Sequence, residues 1–178
     1  AGFKDRTSLL AFLGIDSKQL QTGRDASELF ATRVPKPFAA RMRKGDPADP
    51  LLLQVLAQTQ EFIEAPGYQA DPLQEQQFSS GHGIIHKYRS RLLLVMTGAC
   101  AVHCRYCFRR HYPYDSHRYD ARMLTHVLDY LAQHPEVNEV ILSGGDPLML
   151  PDTPLLTLLK ALSDVPQIAR LRIHTRLP

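Results

Sequence analysis

Three cysteines in 178 residues are too few, and odd in number, for a disulfide framework. Nor is there a long apolar run. Leu92-Leu-Leu-Val-Met96 is far short of the roughly 20 residues that cross a bilayer, and no apolar leader opens the chain. Charge of one sign is also missing: 21 basic against 18 acidic residues give a net charge of +3, spread along the sequence. No polybasic face calls for nucleic acid, and no nucleic-acid partner is expected. No internal repeat and no low-complexity tract is visible. The reading is therefore a cytoplasmic protein without a membrane partner, and at 44% hydrophobic residues it can bury a core.

The first 80 or so residues read as short helices separated by breakers. Leu9, Leu10, Phe12 and Leu13 form a stripe closed by Gly14. Further helices are expected at Ser17–Gln21, Ala26–Arg33, Phe38–Arg43 and after Pro50, where Leu51, Leu52, Val55 and Leu56 share a face. Glu64 to Gly83 reads as irregular, and this half holds no catalytic motif. From Arg91 the texture changes. Leu92–Met96 predicts a strand buried on both faces. Leu124, Val127, Leu128 and Leu131 predict a helix ending at Pro135, and Val140–Leu142 a second strand. Leu155 to Leu162 predict another helix, and Leu171–His174 a third strand. Strands alternating with helices predict an α/β fold with parallel strands, whose functional loops follow the carboxyl ends of the strands.

Two such loops carry chemistry. Cys100, Cys104 and Cys107 all lie within eight residues, and thiolates gathered this closely suit an iron–sulfur cluster. Three ligands leave one iron open to a small molecule. Zinc is the competing reading, with His103 or His111 as a fourth ligand, although zinc motifs usually bring two separated cysteine pairs. After the second strand comes Ser143-Gly-Gly-Asp146, where glycines allow close main-chain approach and carbonyls can accept from an ammonium group. Arg105, Arg109 and Arg110, with Lys87, Arg89 and Arg91 upstream, suggest anionic ligands.

The CxxxCxΦC spacing, with Tyr106 as the aromatic, resembles the signature of the radical S-adenosylmethionine (SAM) enzymes. His86-Lys-Tyr-Arg-Ser-Arg91, CAVHCRYCFRRHYPY, Ser143-Gly-Gly-Asp-Pro-Leu148 and RIHTRLP resemble the lysine 2,3-aminomutase family, nearest the branch that makes (R)-β-lysine for elongation factor P. The similarity extends to Phe30–Pro35 and Gly45–Pro50. It implies a [4Fe-4S] cluster, SAM and pyridoxal 5′-phosphate (PLP), conversion of L-α-lysine to β-lysine by an isomerase, an external electron donor, and a link to elongation factor P and its ligase. It also implies an N-terminal helical segment over 1–84 and, over 85–178, the first part of a radical SAM (β/α) barrel truncated after its third strand.

Carried over residue by residue, the resemblance makes Cys100, Cys104 and Cys107 the cluster ligands and Tyr106 the aromatic beside SAM. Ser143, Gly144, Gly145 and Asp146 match the loop that holds the methionine amino group, with Asp where the wider pattern has Glu. Arg109 matches the partner of the substrate carboxylate, and Lys87, Tyr88 and Arg91 match contacts around the PLP phosphate. The PLP lysine and the acids for the substrate ammonium would lie past the third strand, so the chain is expected to be an N-terminal fragment, inactive alone. A radical SAM enzyme acting on RNA and a zinc-stabilised binding module are the alternatives.

Overall fold

The computed structural model describes residues 2–20, 30–114 and 121–177. They form two compact units, one from residues 1–70 and 101–110, the other from 71–100 and 111–178.

The first unit is built from short elements. Strand β1 (Gly2–Phe3) pairs antiparallel with β2 (Val34–Pro35), and helices α1 (Arg6–Leu13) and α2 (Lys36–Ala39) follow them in the chain. Asp5 caps α1 by accepting from Ser8 N at 2.7 Å, and Gly14 ends it at φ 68°, a conformation open to glycine. The expected stripe is real: Leu9, Leu10 and Leu13 are buried with Ile15, Val34, Met42, Leu52, Val55 and Leu56. Phe12 is outside it, with the Lys44 ammonium over its ring.

The helical expectations shrink, and the one over Phe38–Arg43 is met only by α2, which ends at Ala39. Ser17–Gln19 is a single 3-10 turn. Residues 26–29 of the next expected helix lie outside the described residues, and 30–33 are not helical, the carbonyls of Ala31 and Arg33 being taken by His103. The expected helix after Pro50 is one 3-10 turn, Leu52–Gln54, although Leu52, Val55 and Leu56 are buried as its stripe required. The reason is competition for backbone groups. The Gln54 carbonyl accepts from Arg105 N at 2.7 Å, so the ladder stops there.

Asp49 organises this corner. It is 3% exposed, and its carboxylate accepts from Leu51 N (2.9 Å), Leu52 N (3.0 Å) and Arg43 N (3.1 Å). Burial pushes its pKa up, but the three N–H donors and the Arg43 charge outweigh this and hold it below the ordinary value. Asp49→Ala should therefore cost about 2–3 kcal/mol in urea unfolding, since one buried and two part-buried donors lose their acceptor. Because the folded pKa is depressed, the carboxylate's contribution is complete above about pH 4 and is lost as pH falls through the folded value. The variant should show a weaker loss of stability in that acid range.

The second unit is a four-stranded sheet of order β3-β4-β5-β6, with β3 Ile84–Tyr88, β4 Arg91–Thr97, β5 Glu139–Gly144 and β6 Arg170–Ile173. β4, β5 and β6 run parallel, and β3 joins β4 antiparallel. Helices α3 (Ala121–Gln133) and α4 (Asp152–Ser163) connect the parallel strands. Met123, Val127 and Leu131 of α3 and Leu155, Leu158 and Leu162 of α4 join Leu92, Leu94, Met96, Val140 and Leu142 in one core. The alternation of strand and helix is thus as expected, and the four strands form an open sheet that is mixed because β3 is antiparallel. β3 is an addition: no strand is expected before Leu92. It forms because the two-residue turn Arg89-Ser90 returns the chain along β4.

Candidate functional site

At the carboxyl end of β4 the chain continues through Thr97, Gly98, Ala99 and Cys100, and Ser143-Gly-Gly-Asp146 is laid against it. Gly145 N donates to the Thr97 carbonyl at 2.6 Å, and Asp146 N to that of Ala99 at 2.8 Å. Both glycines are demanded by this approach. Gly144 has φ 114°, and a β-carbon on it would sit 2.8 Å from the Thr97 oxygen. A β-carbon on Gly145 would collide with the Ala99 oxygen and lie 2.8 Å from the Gly98 carbonyl carbon. The close approach inferred from these glycines is therefore met by the neighbouring main chain.

Ser143 and Asp146 are both buried. Asp146 Oδ1 accepts from Leu148 N at 3.0 Å and from the Thr175 hydroxyl at 2.6 Å, while Oδ2 accepts from Arg176 N at 2.8 Å. One carboxylate thereby ties the loop after β5 to the loop after β6. The ends of all three parallel strands are joined by hydrogen bonds that run from Thr97 to Arg176.

Cys104 and Cys107 share a turn in the first unit, closed by Cys107 N donating to the Cys104 carbonyl at 3.0 Å. All three cysteines are half-buried thiols. Burial pushes the Cys107 thiol up, and the neighbouring Cys104 acts in the same direction; the Arg109 N–H and the charges of Arg110 and Arg109 oppose this and lose. Among the described residues no three Cys, His, Asp or Glu side chains are grouped as a metal site. His103, one of the two candidate fourth zinc ligands, places Nδ1 2.7 Å from the Ala31 carbonyl. Tyr106 is 63% exposed, whereas Arg109 is buried, its guanidinium carbon 4.8 Å from the centre of the Phe108 ring.

Of the six cations read as one basic cluster, four are drawn to three different partners. Arg105 and Arg110 both pair with Glu61. Lys87 Nζ donates to the Leu73 carbonyl at 2.8 Å. Arg91 begins β4, and its Nε lies 3.5 Å from Glu139 Oε2. Glu139 is almost fully buried and also receives Arg170 Nη1 at 3.2 Å, while Arg172 Nε stands 2.6 Å from Oε1, close enough for charge pairing though not aligned as a hydrogen bond. Lys87, Tyr88 and Arg91 thus sit at the hairpin end of the sheet. The seven residues of β4 from Arg91 to Thr97, six steps of about 3.3 Å, put that end roughly 20 Å from the Ser143–Asp146 loop.

Glu61, Glu139 and Thr175 have structural roles that no local motif signals. The arginine partners of Glu61 and Glu139 lie 31 to 49 residues away in the sequence.

The model of the Radical SAM superfamily matches residues 94–178, which include the three cysteines and the Ser143–Asp146 loop. The chain is 53% identical over 175 residues to an L-lysine 2,3-aminomutase of Escherichia coli, covering 98% of this chain and 51% of that protein. It is 48% identical over 174 residues to an L-lysine 2,3-aminomutase of Haemophilus influenzae, with 98% and 52% covered, and 34% identical over 134 residues to that of Clostridium subterminale, with 75% and 32% covered. The chain spans about half the length of the first two of these curated relatives. No helix among the described residues is long and apolar enough to cross a membrane.

Proposed function

Because the chain belongs to the radical SAM superfamily, we propose that it carries the cluster- and SAM-holding part of a lysine 2,3-aminomutase, an isomerase that converts L-α-lysine to β-lysine. The observation that carries this reading is the Gly-Gly loop bonded to the strand end that leads into CxxxCxΦC. The same reading makes β4, β5 and β6 the first strands of a (β/α) barrel, which the parallel order of these three strands supports. The finer product assignment, (R)-β-lysine for modifying elongation factor P together with a ligase, rests on CAVHCRYCFRRHYPY and RIHTRLP.

The residues present fit the cluster and SAM by donor chemistry. Cys104 and Cys107 offer two thiols from one turn, and Cys100 a third three residues after Thr97. When bound, a [4Fe-4S] cluster reduced by an external donor supplies an electron and an open iron at which SAM is cleaved to a radical. The chain's part is to bind and orient. The carbonyls of Ser143, Gly144 and Gly145 are acceptors suited to an ammonium group, Tyr106 offers an exposed ring, and the Arg109 fork suits a carboxylate. Asp146 supports the loop through its three hydrogen bonds. For PLP the fit is poorer: a phosphate held by Lys87, Tyr88 and Arg91 would have to draw Lys87 from Leu73 and Arg91 from Glu139.

Anaerobic reconstitution with iron and sulfide tests the reading. The expected product is a brown protein that forms 5′-deoxyadenosine from SAM on reduction. A colourless protein holding stoichiometric zinc would overturn it. In an active enzyme Arg109→Lys should raise KM for lysine by about tenfold or more, because a bidentate fork becomes a point charge. Iron content should not change, and an unaltered KM would remove Arg109 from the substrate.

A further inference from the structure

We propose that Glu61 is a positioning residue for the cysteine turn, holding the main chain that presents Cys104 and Cys107 through two arginines. Its functional consequence rests on the cluster reading above; its structural content does not.

The Glu61 side chain is 10% exposed and belongs to the 3-10 turn Thr59–Phe62. Its Oε1 accepts from Arg105 Nε at 2.8 Å and from Gln58 N at 3.1 Å, and its Oε2 from Arg110 Nη1 at 2.6 Å. These two arginines flank Cys107. Arg105 also has its own N–H fixed on the Gln54 carbonyl at 2.7 Å. Arg110 folds back over the turn: Nη2 donates to the Arg105 carbonyl, Nε to the Cys107 carbonyl at 3.4 Å, and the guanidinium carbon lies 5.1 Å from the centre of the Phe30 ring. Residues 105–110 are therefore closed into a ring whose only carboxylate link to the rest of the unit, among the described ion pairs, is Glu61.

Burial decides that these pairs are more than surface decoration. The arginine side chains are 29% and 16% exposed, so breaking the pairs would leave cations with little water to replace the carboxylate. Such a network contributes chiefly a single arrangement, and ligands of a cluster need one. Thiolates brought together repel, and a turn fixed in advance avoids the entropy of ordering it as the metal binds.

Amide hydrogen exchange on the metal-free protein tests the position, and loss of iron to a chelator from the reconstituted protein tests its use. Glu61→Gln keeps an oxygen for Gln58 N while removing the charge; Glu61→Asp keeps the charge and shortens the reach. The expected result is about tenfold or faster exchange at the amides of residues 104–110 in Glu61→Gln and an intermediate rate in Glu61→Asp. α1 and the strands of the second unit should be unchanged, and iron should leave the three proteins in the same order. Equal protection of residues 104–110 in all three proteins overturns the proposal. So does loosening of α1 to the same degree as the turn, which would make Glu61 a general support. A wild-type protein that takes up no iron overturns the cluster reading, and the exchange rates then decide the role of Glu61 alone.

Discussion

Replacing Cys100, Cys104 or Cys107 by alanine should each leave a folded, nearly colourless protein, with iron falling from about four ions per chain to below one. The cysteines are the whole thiol content of the chain, so no neighbour can substitute. The fold should survive because none of the three is bridged and only Cys104 packs at the edge of a core. Formation of 5′-deoxyadenosine should fall by at least about a thousandfold, since the protein supplies binding and orientation while the bound group supplies the electron. Iron assay, circular dichroism and product analysis on one preparation separate loss of metal from loss of fold. Retention of a full iron complement in any single variant would show that its cysteine is not a ligand.

The second large effect belongs to Gly145→Ala. Alanine is conformationally allowed there, because Gly145 is not among the residues with positive φ; the obstacle is contact with Ala99 and Gly98. To relieve it, the loop must move off residues 97–99 and weaken the bonds from Gly145 N and Asp146 N. Overpacking together with those bonds should cost about 2–3 kcal/mol. For a unit of this size the melting temperature should drop by roughly 10 °C or more. SAM affinity of the reconstituted protein should fall by about tenfold, with iron content at low temperature unchanged. A variant that melts and binds SAM like the parent would mean that the two loops do not depend on their close contact.

How far the sequence could be read varies with the source of each element's stability. α3, α4, β4 and β5 were legible because their apolar periodicity is itself the driving force, and it ends up in one core, against which Leu171 of β6 packs. β3 was hidden because its hairpin turns through Arg89-Ser90, with neither Gly nor Asn to mark it. The helix expected after Pro50 carries the right stripe, yet Arg105 N claims the Gln54 carbonyl from 51 residues away, a competition that no local window contains. In the site, the cysteine spacing and the paired glycines were visible as words. The cations were visible too, but not their division among Glu61, Glu139 and the Leu73 carbonyl, because acids that neutralise arginines at long range leave no pattern nearby.

The choice of Asp over Glu at position 146 has a consequence in reach. A carboxylate on one methylene stays close to its own backbone, and there it is fully occupied by Leu148 N, Thr175 and Arg176 N. One more methylene would carry it past those donors and out toward whatever the loop receives. With the shorter side chain, the lip of the sheet is sewn shut on itself, and under the proposed function the selection of a ligand would fall to main-chain carbonyls, whose spacing depends on the backbone and not on a rotamer.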